Sequence, residues 1–165
     1  MKNSVLCYLE ETAERLPDKV AFFDAEGEIT FEQLRKNAVD IAFAIQEKVG
    51  GRRNPILTYI PKSVKNITAF MGILYSGNFY TPTEVRFPEE KVRSIVETLH
   101  PAAILVDTKS KEKLCGYEWT KDICLINVDE VAKSGRYEES HELADKILDV
   151  DPVYTFFTSG STGTP

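Results

Sequence analysis

Histidine and cysteine are scarce in this chain, with two and three respectively among 165 residues. Cys7, Cys115 and Cys124 form no C-x-x-C pair and have no histidine cluster beside them, so neither a disulfide framework nor a metal site is expected. Trp119 is the sole tryptophan; with Tyr117 among lysines it makes no repeated aromatic and basic pattern for gripping single-stranded nucleic acid. Basic side chains are outnumbered twenty to twenty-six, and a net charge of −6 argues against nucleic acid or an anionic membrane as the main partner. Long apolar runs are missing too. Val5 to Leu9 is cut off by Glu10-Glu11, too soon for a signal peptide's core, and no run reaches membrane-spanning length. What remains is globular composition, 42% hydrophobic and 28% charged, in a chain long enough for one domain with a real core.

Within those limits helical and strand-like patterns alternate. Leu6, Leu9, Ala13 and Leu16 recur at helical spacing until Pro17, which predicts an amphipathic first helix. Val20 to Phe23 and the stretch around Ile29 flank Gly27, predicting a β-hairpin that turns near Glu26 to Glu28. Thr30-x-x-Gln33 is a capping-box pattern, and Leu34, Ala38, Ile41, Ala42, Ile45 and Val49 continue it as a helical face ending at Gly50-Gly51. A strand at 55–60, a helix from Lys62 to Ser76 stopped by Gly77, and a short strand at 79–81 make a βαβ unit. Pro88 suits the first turn of a helix whose face is Val92, Ile95, Val96 and Leu99 and which ends at His100-Pro101. Strands follow at 102–106 and 123–128, with a charged loop from Asp107 to Asp122 between them. The expected class is α/β, a mostly parallel sheet flanked by helices. Asp129 to Asp149, rich in Glu, Lys and Ser, is expected as a solvated surface segment, with one short helix over Leu143, Ala144, Ile147 and Leu148 as the alternative.

The functional information is concentrated at the end. After Asp151-Pro152, the run Val153-Tyr154-Thr155-Phe156-Phe157 is expected as a buried strand, and Thr158-Ser159-Gly160-Ser161-Thr162-Gly163-Thr164-Pro165 follows it. Gly160 and Gly163 allow positive φ and close backbone approach, so successive N–H groups can face one concavity, while Thr158, Ser159, Ser161 and Thr162 add hydroxyl donors. Such a nest suits triphosphate oxygens, and it lies beyond a strand's carboxyl end, where ligands bind in open parallel sheets. It is not a Walker loop, because Ser161 and Thr162 alone separate its glycines and no lysine follows.

Tyr154 through Pro165 resembles the phosphate-binding signature of the adenylate-forming synthetases, written TSGSTGxPKG at its heart. Ile29 to Leu34 is similar to the family's "LTYxEL" segment, Met71 to Pro82 to its "LAxLKAGxxYxP" segment, and Pro88 to Asp107 continues as the family does, with a Pro-led helix, an apolar strand and an acidic residue; in the family's order, these extend the resemblance over nearly the whole chain. Within that superfamily, Asn54 to Tyr59 and its spacing to Gly77 resemble the amino-acid-activating branch, D-alanine:carrier-protein ligases and nonribosomal-peptide adenylation domains. Two departures are Pro82-Thr83-Glu84, where the branch has Pro-aliphatic-Asp, and Phe157, where it often has Tyr.

The resemblance implies that residues 1–165 are the incomplete N-terminal part of the large domain of an AMP-dependent synthetase, itself inactive. It implies ATP with Mg²⁺ as cofactors, a small carboxylic acid, in this branch an amino acid, as substrate, a carrier-protein phosphopantetheine thiol as acceptor, and a cytoplasmic location. Thr158, Ser159, Gly160, Ser161, Thr162 and Gly163 would hold the β- and γ-phosphates; no catalytic and no metal-ligating residue is assigned. An acyl- or aryl-coenzyme A synthetase, or a non-catalytic nucleotide-binding module, is the alternative. Elsewhere, His100, His141, Glu89-Glu90 and Glu138-Glu139 are expected as solvated or structural groups, and Arg52-Arg53 as surface charges.

Overall fold

Thr30 and Gln33 start the principal helix by a reciprocal exchange: Gln33 N–H donates to Thr30 Oγ1 at 3.2 Å, and Thr30 N–H to Gln33 Oε1 at 3.0 Å. A cap of this kind is worth about 1 kcal/mol, and it sets the phase of the helix that follows. The computed structural model describes residues 4–157. In chain order its elements are α1 (Val5–Arg15), β1 (Val20–Asp24), β2 (Gly27–Thr30), α2 (Phe31–Lys48), β3 (Pro55–Tyr59), α3 (Val64–Tyr75), β4 (Phe79–Pro82), α4 (Glu89–Leu99), β5 (Ala103–Val106), α5 (Thr108–Cys115), β6 (Leu125–Asn127) and α6 (Ser140–Asp145), with single 3₁₀ turns at Glu118–Thr120 and Tyr137–Glu139.

Strands β4, β3, β5 and β6 lie in that order in one sheet, every pair parallel, and β1 and β2 form a separate antiparallel hairpin. The β5 side chains are wholly buried and alternate between faces. Ala103 and Leu105 join Ile56, Ile60, Ile73, Ile41 and Ile45 under α2 and α3, while Ile104 and Val106 join Leu57, Tyr59, Val92, Ile95 and Leu114 under α4 and α5. That two-sided burial is why β5 is apolar at every position. A further core, with Leu6, Leu9, Ala38, Leu74, Tyr75, Leu143 and Ala144, unites α1, α2, α3 and α6.

The α2–α3 contact depends on one missing side chain. A Cβ built on Gly72 would stand 2.5 Å from Ile41 Cγ2 and 3.0 Å from the Ala38 carbonyl oxygen, so only glycine lets the two backbones approach this closely.

Several expectations are corrected. The segment 107–122 is not a loop throughout: Asp107 caps α5 through Ser110 N–H at 2.7 Å, and Leu114 is buried. The lysines of α5 mask its helical character, because a helix with few apolar residues shows little periodicity. The segment 129–149 is mostly exposed, as expected, but it also holds the short helix α6, which packs inward through Leu143 and Ala144, with Ile147 buried just after it and Leu148 left half exposed. Pro88 is the residue before α4 rather than within its first turn, and the hairpin turns at Ala25-Glu26, where Asp24 Oδ1 accepts from Glu26 N–H at 2.8 Å.

Val153 to Phe157 is not a buried strand. It touches the sheet through one parallel bridge between Tyr154 and Tyr80, and Tyr154 and Phe156 are more than half exposed. The bridge consists of Tyr80 N–H to the Val153 carbonyl at 3.1 Å and Thr155 N–H to the Tyr80 carbonyl at 3.0 Å. The next rung would need an N–H at position 82, and Pro82 has none, so the ladder cannot extend.

Candidate functional site

The carboxyl ends of β3 and β4 open into a cleft of about 990 Å³. Ile60, Pro82 and Thr83 continue from the two strands to form its floor, Val64, Ile67 and Phe70 of α3 form one wall, and Ser94 and Lys91 of α4 another. Phe22 and Phe23 of the hairpin overhang it, and Phe156 and Phe157 close the remaining side. This is the end of a parallel sheet at which α/β proteins bind ligands, since crossover connections leave a crevice there.

Each wall is held for an identifiable reason. Asp24 Oδ2 accepts the Val64 N–H at 2.7 Å, tying the hairpin to the first turn of α3. That hydrogen bond, with those from Glu26 and Gly27 and the charge of Lys65, holds the Asp24 carboxyl below its ordinary range. Ser63 caps α3 through Asn66 N–H at 3.3 Å. Phe70 stacks on Tyr80 with ring centres 4.2 Å apart and planes at 13°, and Tyr154 tilts against Tyr80 at 5.8 Å. Burial raises the Tyr80 hydroxyl above its ordinary value, so it stays a neutral donor.

Polar capacity in the cleft is unspent. Among the described residues, Asn66 Oδ1 and Thr83 Oγ1 have no hydrogen-bond partner although their residues are 7% and 8% exposed. Unpaired polar atoms at such depth are uncommon and call for a partner. The nearby cations are engaged: Lys62 pairs with Glu84 at 2.8 Å, Lys65 with Asp129 at 2.6 Å, and Lys91 lies over the Phe87 ring at 3.9 Å. Among the described residues no three His, Cys, Asp or Glu side chains gather to hold a metal ion, and no helix is long and apolar enough to cross a membrane.

Thr158, Ser159, Gly160, Ser161, Thr162 and Gly163 lie outside the described residues. Phe157, which immediately precedes them, is on the cleft wall and packs toward the core that includes Val92 and Ile95. The histidines are remote from the cleft: His100 is exposed at the left-handed end of α4, and His141 Nε2 lies 2.8 Å from Glu14 and 3.3 Å from Glu10. Glu89 accepts from Trp119 Nε1–H at 3.1 Å, while Glu90 lines the cleft.

Two polar features were not read from the pattern. Glu10 is 3% exposed and collects Tyr75, Arg35 and Ser140. Its signal was present, since position 10 shares the helical face of Leu6, Leu9 and Ala13. Arg52 and Arg53 are surface charges as expected, 44% and 58% exposed, and what the pattern does not show is that both converge on Asp151.

Comparison with known proteins agrees with this fold. Bacitracin synthase 1 of Bacillus licheniformis is 28% identical over 156 residues, 94% of this chain and 3% of the synthase. The D-alanine--D-alanyl carrier protein ligase of Staphylococcus aureus is 28% identical over 164 residues, 99% of this chain and 31% of the ligase. Among solved structures, a four-domain nonribosomal peptide synthetase bound to AMP and glycine superimposes with a TM-score of 0.79 at 18% identity, over 96% of this chain and 11% of that one. A fatty acyl-adenylate ligase from L. pneumophila, in complex with acyl adenylate and pyrophosphate, gives 0.80 at 23% identity, over 98% and 29%. The chain thus spans less than a third of the length of each of these proteins. The pattern of the AMP-binding enzymes matches residues 9–165, from the first helix through the serine- and glycine-rich run, and the chain belongs to that family.

Proposed function

We propose that this chain is the N-terminal, phosphate-binding part of an enzyme that activates a carboxylic acid with ATP and then loads it onto a thiol. The observation that carries the reading is the position of Phe157. The hydroxyl- and glycine-rich run from Thr158 to Gly163 continues directly from the wall of a cleft at the carboxyl end of a parallel sheet.

In such a reaction the acid's carboxylate oxygen attacks the α-phosphorus of ATP, the bond to the bridging oxygen breaks, and pyrophosphate leaves with that electron pair. The protein's task is to hold the β- and γ-phosphates in line and balance the charge that grows on them. Hydroxyls of Ser159, Ser161 and Thr162 and the amides of Gly160 and Gly163 are suited to it. Mg²⁺ would arrive with the nucleotide and supply further charge neutralisation. The thiol then attacks the acyl carbon and AMP departs.

An amino acid is the substrate class we favour, with a carrier-protein phosphopantetheine as acceptor, because the similar proteins include a D-alanyl carrier protein ligase and a nonribosomal peptide synthetase bound to AMP and glycine. The aromatic lining of Phe22, Phe23 and Phe70 supports a second reading, in which a fatty or aryl acid is activated and passed to coenzyme A. Residues 1–165 alone are expected to be inactive, and the enzyme to work in the cytoplasm, where ATP and thiols are available.

ATP–pyrophosphate exchange by the complete protein, run over a panel of amino, fatty and aryl acids, tests the proposal. Exchange with an amino acid supports the first reading, and exchange with fatty or aryl acids alone supports the second. A folded protein that neither binds MgATP nor exchanges pyrophosphate with any acid is a non-catalytic module, and the proposal fails.

A further inference from the structure

The segment that leads to Thr158 is anchored at its start by the carboxylate of Asp151. The Asp151 side chain is 6% exposed and has four donors around it. Arg53 Nε donates to Oδ1 at 2.7 Å with Nη2 at 2.6 Å, Leu148 N–H donates to Oδ2 at 2.9 Å, and Arg52 Nη2 stands 3.4 Å from Oδ2. Arg52 Nη2 also donates to the Lys146 carbonyl.

The backbone around these arginines is unusual. Arg53 has a φ of +60°, a conformation disfavoured for a side-chain-bearing residue, and its N–H donates to the Gly77 carbonyl at 2.8 Å. Gly77 leaves room for Arg52, because a Cβ there would come within 2.8 Å of Arg52 Nε. The chain ahead of β3 is therefore shaped to aim two guanidinium groups at one point.

That point matters because, beyond it, the chain is otherwise held by the contact of Tyr154 with Tyr80, the packing of Phe157 against the core of Val92 and Ile95, and a short ladder. The run from Val153 to Phe157 holds β4 by two hydrogen bonds, both to Tyr80. So short a ladder defines register poorly, and Pro82 prevents it from growing. Resting on the phosphate role proposed above, we propose that Asp151, clamped by Arg53 and Arg52, is a positioning residue for that loop. It fixes the register in which Val153 to Phe157 follows β4, and so the place from which Thr158 to Gly163 reach the phosphates.

The test is pyrophosphate exchange by the complete protein with ATP and acid varied separately, together with a melting curve and calorimetric titration of MgATP. Asp151→Asn keeps the shape and removes the charge; it should raise the KM for ATP by about tenfold or more, leave the KM for the acid unchanged, and keep a cooperative melt. Arg53→Lys, which keeps a charge but not the paired geometry, should give a smaller rise. Asp151→Glu keeps a carboxylate for both arginines and the Leu148 N–H and should lose less than Asp151→Asn. An unchanged KM for ATP in Asp151→Asn overturns the inference, as does a uniform loss in every parameter. If the unaltered protein fails to bind MgATP, the phosphate role itself fails; if it binds and the Asp151 variants bind equally well, only the positioning role does.

Discussion

Tyr75 of α3 donates its hydroxyl hydrogen to Glu10 of α1 at 2.5 Å, both side chains buried. The other Glu10 oxygen takes Ser140 Oγ–H at 3.1 Å and lies 3.4 Å from Arg35 Nη1, so one carboxylate joins α1, α2, α3 and α6. Burial, together with the adjacent negative charge, drives the Tyr75 hydroxyl far above its ordinary value, and it remains a donor at every accessible pH.

Removing either partner should therefore leave a buried polar group unsatisfied. Tyr75→Phe is expected to destabilise the protein by about 1–3 kcal/mol, and Glu10→Gln by a comparable amount, because Arg35 then loses a buried counter-charge. Urea unfolding of both single variants and the double variant measures this. The double variant should cost less than the sum of the two, and strict additivity would mean that the hydrogen bond contributes nothing.

Acid should loosen the end of the sheet beyond β6. Burial alone would raise the Asp129 carboxyl, but its pairing with Lys65 at 2.6 Å and hydrogen bonds from the Thr108 N–H and hydroxyl hold it below its ordinary 3.8. Burial would likewise raise Glu32, yet Lys36 and Arg35 hold it below its ordinary 4.5. Depressed folded-state values mean that the stabilisation is complete above those ordinary values and is lost as pH falls through the lower folded ones. Unfolding free energy measured from about pH 5 to about pH 2.5 should fall, and Asp129→Asn should flatten that slope.

Gly72→Ala should destabilise by about 1–3 kcal/mol through overpacking. The new Cβ would meet Ile41 Cβ at 2.6 Å as well as Cγ2 at 2.5 Å, so shortening the neighbour by Ile41→Val should not relieve it. Chemical denaturation of the single and double variants decides; recovery of parental stability in the double variant would place the collision elsewhere.

Ser161→Ala with Thr162→Ala in the complete protein should weaken MgATP binding roughly tenfold or more while leaving the melting temperature nearly unchanged, since a charge-assisted hydrogen bond is worth about 1.5–3 kcal/mol. The acid's affinity should change less. Exchange rates against ATP concentration, paired with a melting curve, separate the two effects, and unaltered ATP kinetics in a folded variant would remove the phosphate assignment.

Local rules made α2 legible in the sequence, because a capping box, a 3.6-residue stripe and a terminal Gly-Gly each act over only a few neighbouring residues. The same holds for β3 and β5, whose continuous apolar runs reflect burial on both faces, and for the hydroxyl- and glycine-rich run whose chemistry needs no distant partner to be recognised. Pro82 also stood in the sequence, yet its effect on Val153 to Phe157 emerged only when β4 was seen as the edge that this segment meets. The tertiary structure alone decided which distant polar and charged groups meet. Asp151 finds Arg53 across 98 positions, and Glu10 finds Ser140 across 130. Ion pairs and buried hydrogen bonds at such separations leave no period in the chain, because their partners are brought together by the packing of apolar faces rather than by anything in their own neighbourhood.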